Sequence, residues 1–186
     1  ERGASVDLVA GPTKLPTPWG VNRIDVRSAE EMANAVGQCW ATTDAVIMSA
    51  AVADYRPAAI SAEKIKKAPG ELSLTLERTQ DILANLSERE DRARKLLIGF
   101  AAETGQVADR AQDKLLRKGL DWIIANDVSE AQIGFGPGDN AGILIGRAGE
   151  LIRLERMAKA EFAETSLCPF VPHDPPDEVV ADAASS

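Results

Sequence analysis

The sequence is poor in the residues that many enzymes use for nucleophilic or metal chemistry. Its 186 residues include a single histidine, His173, and two cysteines, Cys39 and Cys168. One histidine in a proline-rich stretch argues against a catalytic triad, and two distant cysteines match neither a metal-binding spacing nor a redox pair. Aromatic residues make up only 4% of the chain, so we expect a core of Leu, Ile, Val and Ala.

Positive charge and long apolar runs are also scarce. The formal net charge of −8 argues against a general nucleic-acid-binding protein, because such proteins usually carry a basic face. No apolar run is long enough for a membrane-spanning helix, and the first residues do not form a signal peptide. We therefore expect a soluble cytoplasmic protein that binds neither nucleic acid nor membrane. An anionic ligand would require positive side chains to be concentrated locally.

Strand and helix patterns alternate along most of the chain. The hydrophobic periodicity predicts strands at 5–11, 21–26, 44–52, 95–103 and 121–128, and helices at 28–40, 81–92, 106–118 and 159–167. The glycine-rich segment 134–140 predicts a loop, and strands at 142–145 and 151–154 predict a hairpin. This order predicts an α/β fold with a Rossmann-like, mostly parallel sheet, helices on both faces and a C-terminal antiparallel hairpin.

Three segments fall outside that sheet. Residues 1–4 are typical of a helix end with a glycine stop, which indicates that a first strand, its glycine-rich turn and most of a helix precede the sequence. The strictly alternating segment 71–79 predicts a half-exposed strand that projects as an arm towards a partner. The four prolines and the acidic residues after Leu167 predict a flexible tail at 168–186. The domain is therefore expected to span 1–167.

The stretch 44–57, DAVIMSAAVADYRP, carries the first functional signal. Its apolar residues give way to small ones and then to Asp54. Small side chains at the carboxyl end of a buried parallel strand allow a ligand to approach the backbone, and Asp54 could accept hydrogen bonds from that ligand. The alternative is a buried strand followed by an aspartate that caps the next turn.

Two more predicted strands, ending at 99–103 and 125–127, also change from bulky to small and then polar residues. The carboxyl ends of parallel strands meet at one edge of a sheet, so these three ends predict one crevice. A basic loop comprises Lys64, Lys66 and Lys67, and a helical stripe comprises Arg110, Lys114 and Lys118. Each cluster has a simple explanation when it is taken alone. The basic loop could be solvated, and the lysines near a helix C-terminus could complement the helix dipole. Together with the three strand ends, the two clusters favour a nucleotide or phosphorylated metabolite as the ligand.

Several of these segments, in this order and spacing, resemble the bacterial phosphopantothenate–cysteine ligase domain, also called phosphopantothenoylcysteine synthetase. The similar motifs are GPT at 11–13, LPTP at 15–18, AAVADY at 50–55, KIKK at 64–67, GFAAET at 99–104 and ANDVS at 125–129. This domain is usually the C-terminal half of a bifunctional coenzyme A biosynthesis protein. The other half is an FMN-dependent decarboxylase, so FMN would belong to a domain outside this sequence.

The resemblance implies an enzyme that joins 4′-phosphopantothenate to L-cysteine with CTP and Mg²⁺. In that family the carboxylate forms an acyl-cytidylate with loss of pyrophosphate, and the cysteine amine then displaces CMP. The family is homodimeric, and the arm at 71–79 is the natural candidate for the dimer contact.

The resemblance also implies roles for individual residues. Asp54 would recognise the nucleotide, and Lys64 would be the catalytic lysine that forms the cytidylate from a loop closing over the site. Ala50 and Ala51 would line the pocket of the intermediate. The remaining nucleotide-binding positions are Gln80, Asp81, Ile82, Leu83, Phe100, Lys114 and Lys118.

The sequence departs from the family pattern in two places. Thr79-Gln80 replaces an Asn-Pro pair, so the turn before the next helix loses a fixed φ. The family's catalytic asparagine would lie upstream of residue 1, so the chain is expected to be a fragment without that residue. The visible residues also leave two other functions open. One is a non-catalytic nucleotide-binding module, and the other is a nicotinamide-dependent oxidoreductase, although no glycine fingerprint is visible.

Overall fold

The computed structural model of the chain describes residues 3–61, 63–66, 70–103, 105–127 and 139–170. Its strands are β1 (Val6–Ala10), β2 (Val21–Asp25), β3 (Ala45–Met48), β4 (Tyr55–Pro57), β5 (Leu76–Arg78), β6 (Leu96–Glu103), β7 (Trp122–Asp127), β8 (Asn140–Gly146) and β9 (Leu151–Met157). Its α-helices are α1 (Ala29–Cys39), α2 (Ile82–Ser87), α3 (Val107–Arg117) and α4 (Lys159–Leu167).

The main sheet has five strands in the order β3-β6-β7-β8-β9. β3, β6 and β7 are parallel, and β8 and β9 add the antiparallel hairpin. Successive residues of β6 point to opposite faces, with Leu97 in one core cluster and Ile98 in the other. Helix α3 contributes Leu115 to the first cluster and α4 contributes Phe162 to the second. The predicted α/β class, with helices on both faces and a terminal hairpin, is confirmed.

Two smaller sheets flank the main one. β1 and β2 form a parallel pair, and Val9 and Ile24 from this pair pack against the larger core cluster. β4 and β5 form an antiparallel pair separate from the main sheet, which confirms the predicted arm. The arm strand is shorter than predicted, and its partner β4 lies in a stretch where no strand was expected.

β3 is shorter and less buried than the predicted strand at 44–52. It ends at Met48, and the side chain of Ile47 is 46% exposed. The prediction of a buried strand is wrong because β3 lies at the edge of the main sheet. Its second edge pairs with no strand in the described part of the chain.

The predicted helix at 81–92 is divided in two. Helix α2 ends at Ser87, Arg89 is extended with φ −70° and ψ 141°, and a 3₁₀ turn follows at Glu90–Arg94. The guanidinium of Arg92 donates to the backbone oxygen of Lys95 and to Asp121. These bonds hold the 3₁₀ turn against the start of β7. A helix that continued through residue 92 would not bring Arg92 to this position.

Two predicted segments, the flexible tail at 168–186 and the glycine-rich loop at 134–140, are only partly described by the structure. Residues 168–170 were expected to start the flexible tail, but they form a 3₁₀ turn. The Phe170 ring packs edge-on against Trp122 with a centroid distance of 5.3 Å, so the folded part extends at least to Phe170. Residues 171–186, and 134–138 of the predicted glycine-rich loop, lie outside the described residues.

One carboxylate connects the parallel strands at their amino ends. Asp121 Oδ2 accepts hydrogen bonds from Arg92 Nη2 and from the backbone N–H of Leu97, each at 2.7 Å. The Asp121 backbone also donates to Leu97 and accepts from Arg147 at the β8–β9 turn. Asp121 therefore joins β6, β7, the hairpin and the 3₁₀ turn.

Replacing Asp121 by alanine should destabilise the fold by about 3 kcal/mol, because it removes the acceptor of the Leu97 N–H and the carboxylate that neutralises the largely buried Arg92 guanidinium. Urea denaturation would measure the loss. Asp25→Ala is the matched control, since Asp25 also pairs with an arginine but its side chain is 71% exposed. That variant should lose no more than about 1 kcal/mol. Equal losses in both variants would contradict the role assigned to Asp121.

Candidate functional site

A cavity of about 390 Å³ opens where β3, β6 and β7 end. These strands are parallel, so their carboxyl ends meet at one edge, as the three polar strand ends predicted. Crevices at this edge are the usual ligand sites of open α/β sheets, and the volume is sufficient for a small molecule.

The cavity wall contains most of the residues proposed from the sequence. Those that line it are Ala50, Ala51, Asp54, Gln80, Asp81, Ile82, Leu83, Phe100, Lys114 and Lys118. Lys64 does not line it and lies on an exposed segment at 63–66. Lys67 lies outside the described residues. The structure therefore brings the strand-end residues together with Lys114 and Lys118 but leaves Lys64 and Lys66 out of the cavity wall.

Thr79 is a cavity residue that the sequence presented only as a departure from a family motif. Its backbone N–H donates to the Asp54 carbonyl at 3.0 Å, and its hydroxyl donates to the Ala53 carbonyl at 2.5 Å. These two bonds tie the loop after β3 to the segment that enters α2. A hydrogen-bonding side chain thus holds the turn that lacks the proline.

The floor of the cavity depends on a glycine in β6. A Cβ at Gly99 would lie 2.7 Å from Leu120 Cδ1 and 3.4 Å from Leu83 Cδ1. Any larger residue would displace these leucines, one of which is fully buried. The small residues that follow, Ala101 and Ala102, also line the cavity, so ligand atoms can approach the β6 backbone.

Two lysines one helical turn apart give the cavity its positive wall. Lys118 Nζ lies 2.9 Å from Asp81 Oδ2, and Lys114 Nζ donates to the Phe100 carbonyl at 3.4 Å. Burial, followed by the charge of Lys118, lowers the pKa of Lys114. Burial alone would raise the pKa of Asp81, but the hydrogen bonds from Lys118 and from the Ala84 N–H outweigh it and hold this pKa below the ordinary aspartate value.

The Asp81 carboxylate therefore has two tasks. It accepts from the Ala84 N–H at 3.2 Å as the N-cap of α2, and it positions the Lys118 ammonium. Lys114 is held mainly by a carbonyl, so its charge is the less compensated of the two. The negative charge of an anion in the cavity would compensate for the desolvation of Lys114 and for its repulsion by Lys118.

The positive region continues past Lys114 into a second, open cavity of about 470 Å³. Its lining residues are Glu103, Arg110, Asp113, Lys114 and Arg117. The mixed charges here partly cancel, since Arg110 lies 3.9 Å from Glu103. The first cavity is lined by two lysines, Lys114 and Lys118, and by two aspartates, Asp54 and Asp81, of which Asp81 is paired with Lys118.

The described residues contain no group of three or more His, Cys, Asp or Glu side chains placed to hold a metal ion. Asp54 and Asp81 are the carboxylates in the wall of the first cavity. None of the described helices combines the length and apolarity needed to cross a membrane.

A protein-family model described as the DNA/pantothenate metabolism flavoprotein C-terminal domain matches residues 1–169. The coenzyme A biosynthesis bifunctional protein CoaBC of Vibrio cholerae serotype O1 is 47% identical over 150 residues, which are 80% of this chain and 37% of that protein. The CoaBC protein of Escherichia coli K12 is 44% identical over 159 residues, with 83% and 39% coverage. This chain thus spans less than two fifths of these relatives' length.

The fold comparison agrees with the sequence comparison. The crystal structure of the C-terminal domain of a CoaBC protein matches with a TM-score of 0.74 and 39% identity, over 90% of this chain and 74% of that one. A DNA/pantothenate metabolism flavoprotein from Streptococcus pneumoniae has the same fold, with a TM-score of 0.71 at 20% identity. With its mixed sheet and strand-end cavity, this chain belongs to the family of DNA/pantothenate metabolism flavoprotein C-terminal domains.

Proposed function

We propose that this chain carries the ligase site that joins 4′-phosphopantothenate and L-cysteine into 4′-phosphopantothenoylcysteine at the expense of CTP. The observation that carries the proposal is the strand-end cavity, where Lys114 and Lys118 face small residues at the ends of β3 and β6. Relatives that are 47% and 44% identical are named as coenzyme A biosynthesis proteins, which supports it. The substrates are small water-soluble metabolites, so we expect the reaction in the cytoplasm.

The first chemical step would activate a carboxylate. A carboxylate oxygen of 4′-phosphopantothenate attacks the α-phosphorus of CTP, the bond from that phosphorus to the bridging oxygen breaks, and pyrophosphate leaves with the electron pair. Negative charge grows on the leaving group, so fixed positive charges beside it lower the barrier. Lys114 and Lys118 are the groups in the cavity wall that can supply them.

The second step would form the amide. The cysteine amine attacks the acyl carbon of the cytidylate and loses a proton, and CMP departs with the acyl-phosphate oxygen. Ala50 and Ala51 line the cavity without projecting bulk into it. This wall can accommodate the acyl-cytidylate between the steps, and Asp54 offers an acceptor to the nucleotide's amine or hydroxyl groups.

A magnesium ion is proposed to enter with the nucleotide. Proteins commonly hold Mg²⁺ with one or two carboxylates plus substrate phosphates, so the lack of a three-ligand cluster among the described residues is compatible with this arrangement. Asp54 is the cavity carboxylate that could contribute, because Asp81 is engaged by Lys118. The ion would supply charge neutralisation for the departing pyrophosphate.

Ligand-induced thermal stabilisation tests the proposed function. CTP with Mg²⁺ should raise the unfolding temperature, because a ligand at a hundred times its Kd adds about 2.7 kcal/mol of stability. ATP and NADPH, each with Mg²⁺, are the comparison ligands. Stabilisation by NADPH alone would indicate the oxidoreductase alternative and contradict the ligase. Binding of CTP without pyrophosphate release in the presence of 4′-phosphopantothenate and L-cysteine would indicate a non-catalytic module.

A second prediction concerns Lys64, which we propose to act from its loop when substrates are bound. Lys64→Gln should abolish cytidylate formation, measured as CTP-dependent pyrophosphate release in the presence of 4′-phosphopantothenate. It should leave the unfolding temperature unchanged, since Lys64 is exposed and contributes little to the core. Lys66→Gln, on the same exposed segment, controls for the loss of one positive charge. Full activity in the Lys64 variant would exclude the proposed role.

The arm supports a further part of the proposal, a homodimer. Leu72, Leu74 and Leu76 are 68%, 61% and 54% exposed, and Ile60 on the neighbouring loop is 93% exposed. Clustered large apolar side chains on a surface commonly mark an interface. We infer that the arm of one chain packs against a second copy.

Leu74→Asp should therefore weaken self-association by about tenfold or more, because a charge would be buried in an apolar contact. Sedimentation velocity over a concentration series would measure the change. Leu116→Asp is the control, since Leu116 is similarly exposed, at 57%, but lies on α3. Equal weakening by both changes would rule out the arm as the specific contact.

A further inference from the structure

Asn126 in β7 lines the cavity with a hydrogen-bonding group that the mechanism above does not use. Its backbone is fixed on both sides, since Asn126 is paired with Ala102 of β6 and Gly142 of β8. Its Oδ1 is buried and has no hydrogen-bond partner within the described ranges. Nearly all buried polar atoms in native proteins are satisfied, so an orphaned acceptor in a cavity wall calls for a ligand group.

The residues paired with Asn126 give its amide no neighbouring hydrogen-bonding side chain. Paired residues lie on the same face of a sheet, and here both neighbours, Ala102 and Gly142, have little or no side chain. A Cβ at Gly142 would lie 2.4 Å from the Ala125 carbonyl oxygen and 3.2 Å from Asn126 Oδ1. Neither paired residue provides the missing hydrogen bond, and because Oδ1 has less than 1 Å² of accessible surface, a ligand donor would reach it through a rotation of the Asn126 amide towards the cavity.

The chemistry of the orphaned atom restricts what it can contact. A carbonyl-type oxygen needs a donor, and phosphate oxygens are acceptors, so Asn126 Oδ1 does not suit the triphosphate. Phe100 lies two residues before Ala102, on the same face of β6 as the Asn126 side chain, and also lines the cavity. An aromatic ring and an amide in one row suit a nucleoside, with the phosphates towards Lys114 and Lys118.

We propose that Asn126 is a nucleoside-contacting residue whose Oδ1 accepts a hydrogen bond from an amine or hydroxyl of the bound nucleotide. The inference rests on the proposed function in taking this nucleotide to be CTP. CTP offers the exocyclic amine of the base and the two ribose hydroxyls as donors. UTP has an acceptor in place of that amine, so an Asn126–amine contact would favour CTP over UTP.

The test is a matrix of two proteins and four ligands. Wild-type protein and Asn126→Ala would be titrated with CTP, UTP, 2′-deoxy-CTP and 3′-deoxy-CTP, each with Mg²⁺. Asn126→Ala should bind CTP about tenfold more weakly. Each of the three analogues lacks one donor of CTP: the base amine, the 2′-hydroxyl or the 3′-hydroxyl. The analogue whose disadvantage relative to CTP is present in the wild type and absent in the variant identifies the donor that contacts Asn126. Unchanged affinity for every nucleotide, or weakening of 4′-phosphopantothenate binding alone, would overturn the proposal.

Asn140→Ala provides the matched control. Asn140 Oδ1 is also buried without a partner among the described residues, but Asn140 does not line the cavity, so its removal should leave nucleotide affinity unchanged. Asn126→Ala removes Cγ and Nδ2 together with the unpartnered Oδ1, so the unfolding temperature of the ligand-free variant is measured as a separate readout. A lower unfolding temperature with normal nucleotide affinity would mean a purely structural role and overturn the proposal.

The same titrations separate this inference from the proposed function. If ATP or NADPH binds the wild type and CTP does not, the proposed function fails. The effect of Asn126→Ala is then measured on the nucleotide that binds, and about tenfold weaker binding would still support the contact. If none of the nucleotides binds the wild-type protein, both proposals are overturned.

Discussion

The parallel hydrogen bonding of β3, β6 and β7 is the constraint on which the rest of the structure depends. Parallel pairing brings the carboxyl ends of these strands to one edge, and every part of the candidate site is attached there. At the opposite end of the strands, the Asp121 carboxylate accepts hydrogen bonds from Arg92 and from the Leu97 N–H of β6, and its backbone oxygen accepts one from Arg147 at the hairpin turn. The core is thus fixed at one edge, while the other edge carries small residues and a cavity.

The site also shows how an acidic chain can accommodate an anion. The formal net charge is −8, yet Lys114 and Lys118 both line one cavity, and only Lys118 is closely paired with a carboxylate. Burial lowers the pKa of Lys114, which means that the empty cavity disfavours its charge. Binding of a polyphosphate would stabilise that charge, so the cost of burying the lysine is recovered when the ligand enters.

Local sequence patterns predicted the strands that are bounded by clear turn signals. The strands at 95–103 and 121–128 and the hairpin were predicted close to their observed bounds, because short apolar runs and turn glycines encode them directly. The burial of β3 was misjudged because it depends on what lies beside the strand, which the strand's own residues do not encode. β4 was missed for the same reason, since its pairing with β5 joins residues about twenty positions apart.

Only part of the candidate site could be predicted from the sequence. The convergence of the strand ends followed from parallel topology, and the helical lysines followed from their four-residue spacing. Asn126 was included as part of the polar strand end at 125–127, but its unpartnered oxygen could not be predicted from the sequence. Thr79 carried no comparable signal, because its role depends on hydrogen bonds to the distant carbonyls of Ala53 and Asp54. Lys64 was singled out through family resemblance, and its position outside the cavity wall cannot be read from spacing.

The open edge of β3 has a consequence for handling the protein. Its four residues, Ala45, Val46, Ile47 and Met48, include no charge and no proline, which are the features that natural edge strands use against strand addition. Among the described residues this edge has no strand partner, so it is a template on which another extended segment can add. Unless a further strand covers this edge, concentrated preparations will tend towards β-rich aggregates, and a lysine at position 47 would be the simplest gatekeeper.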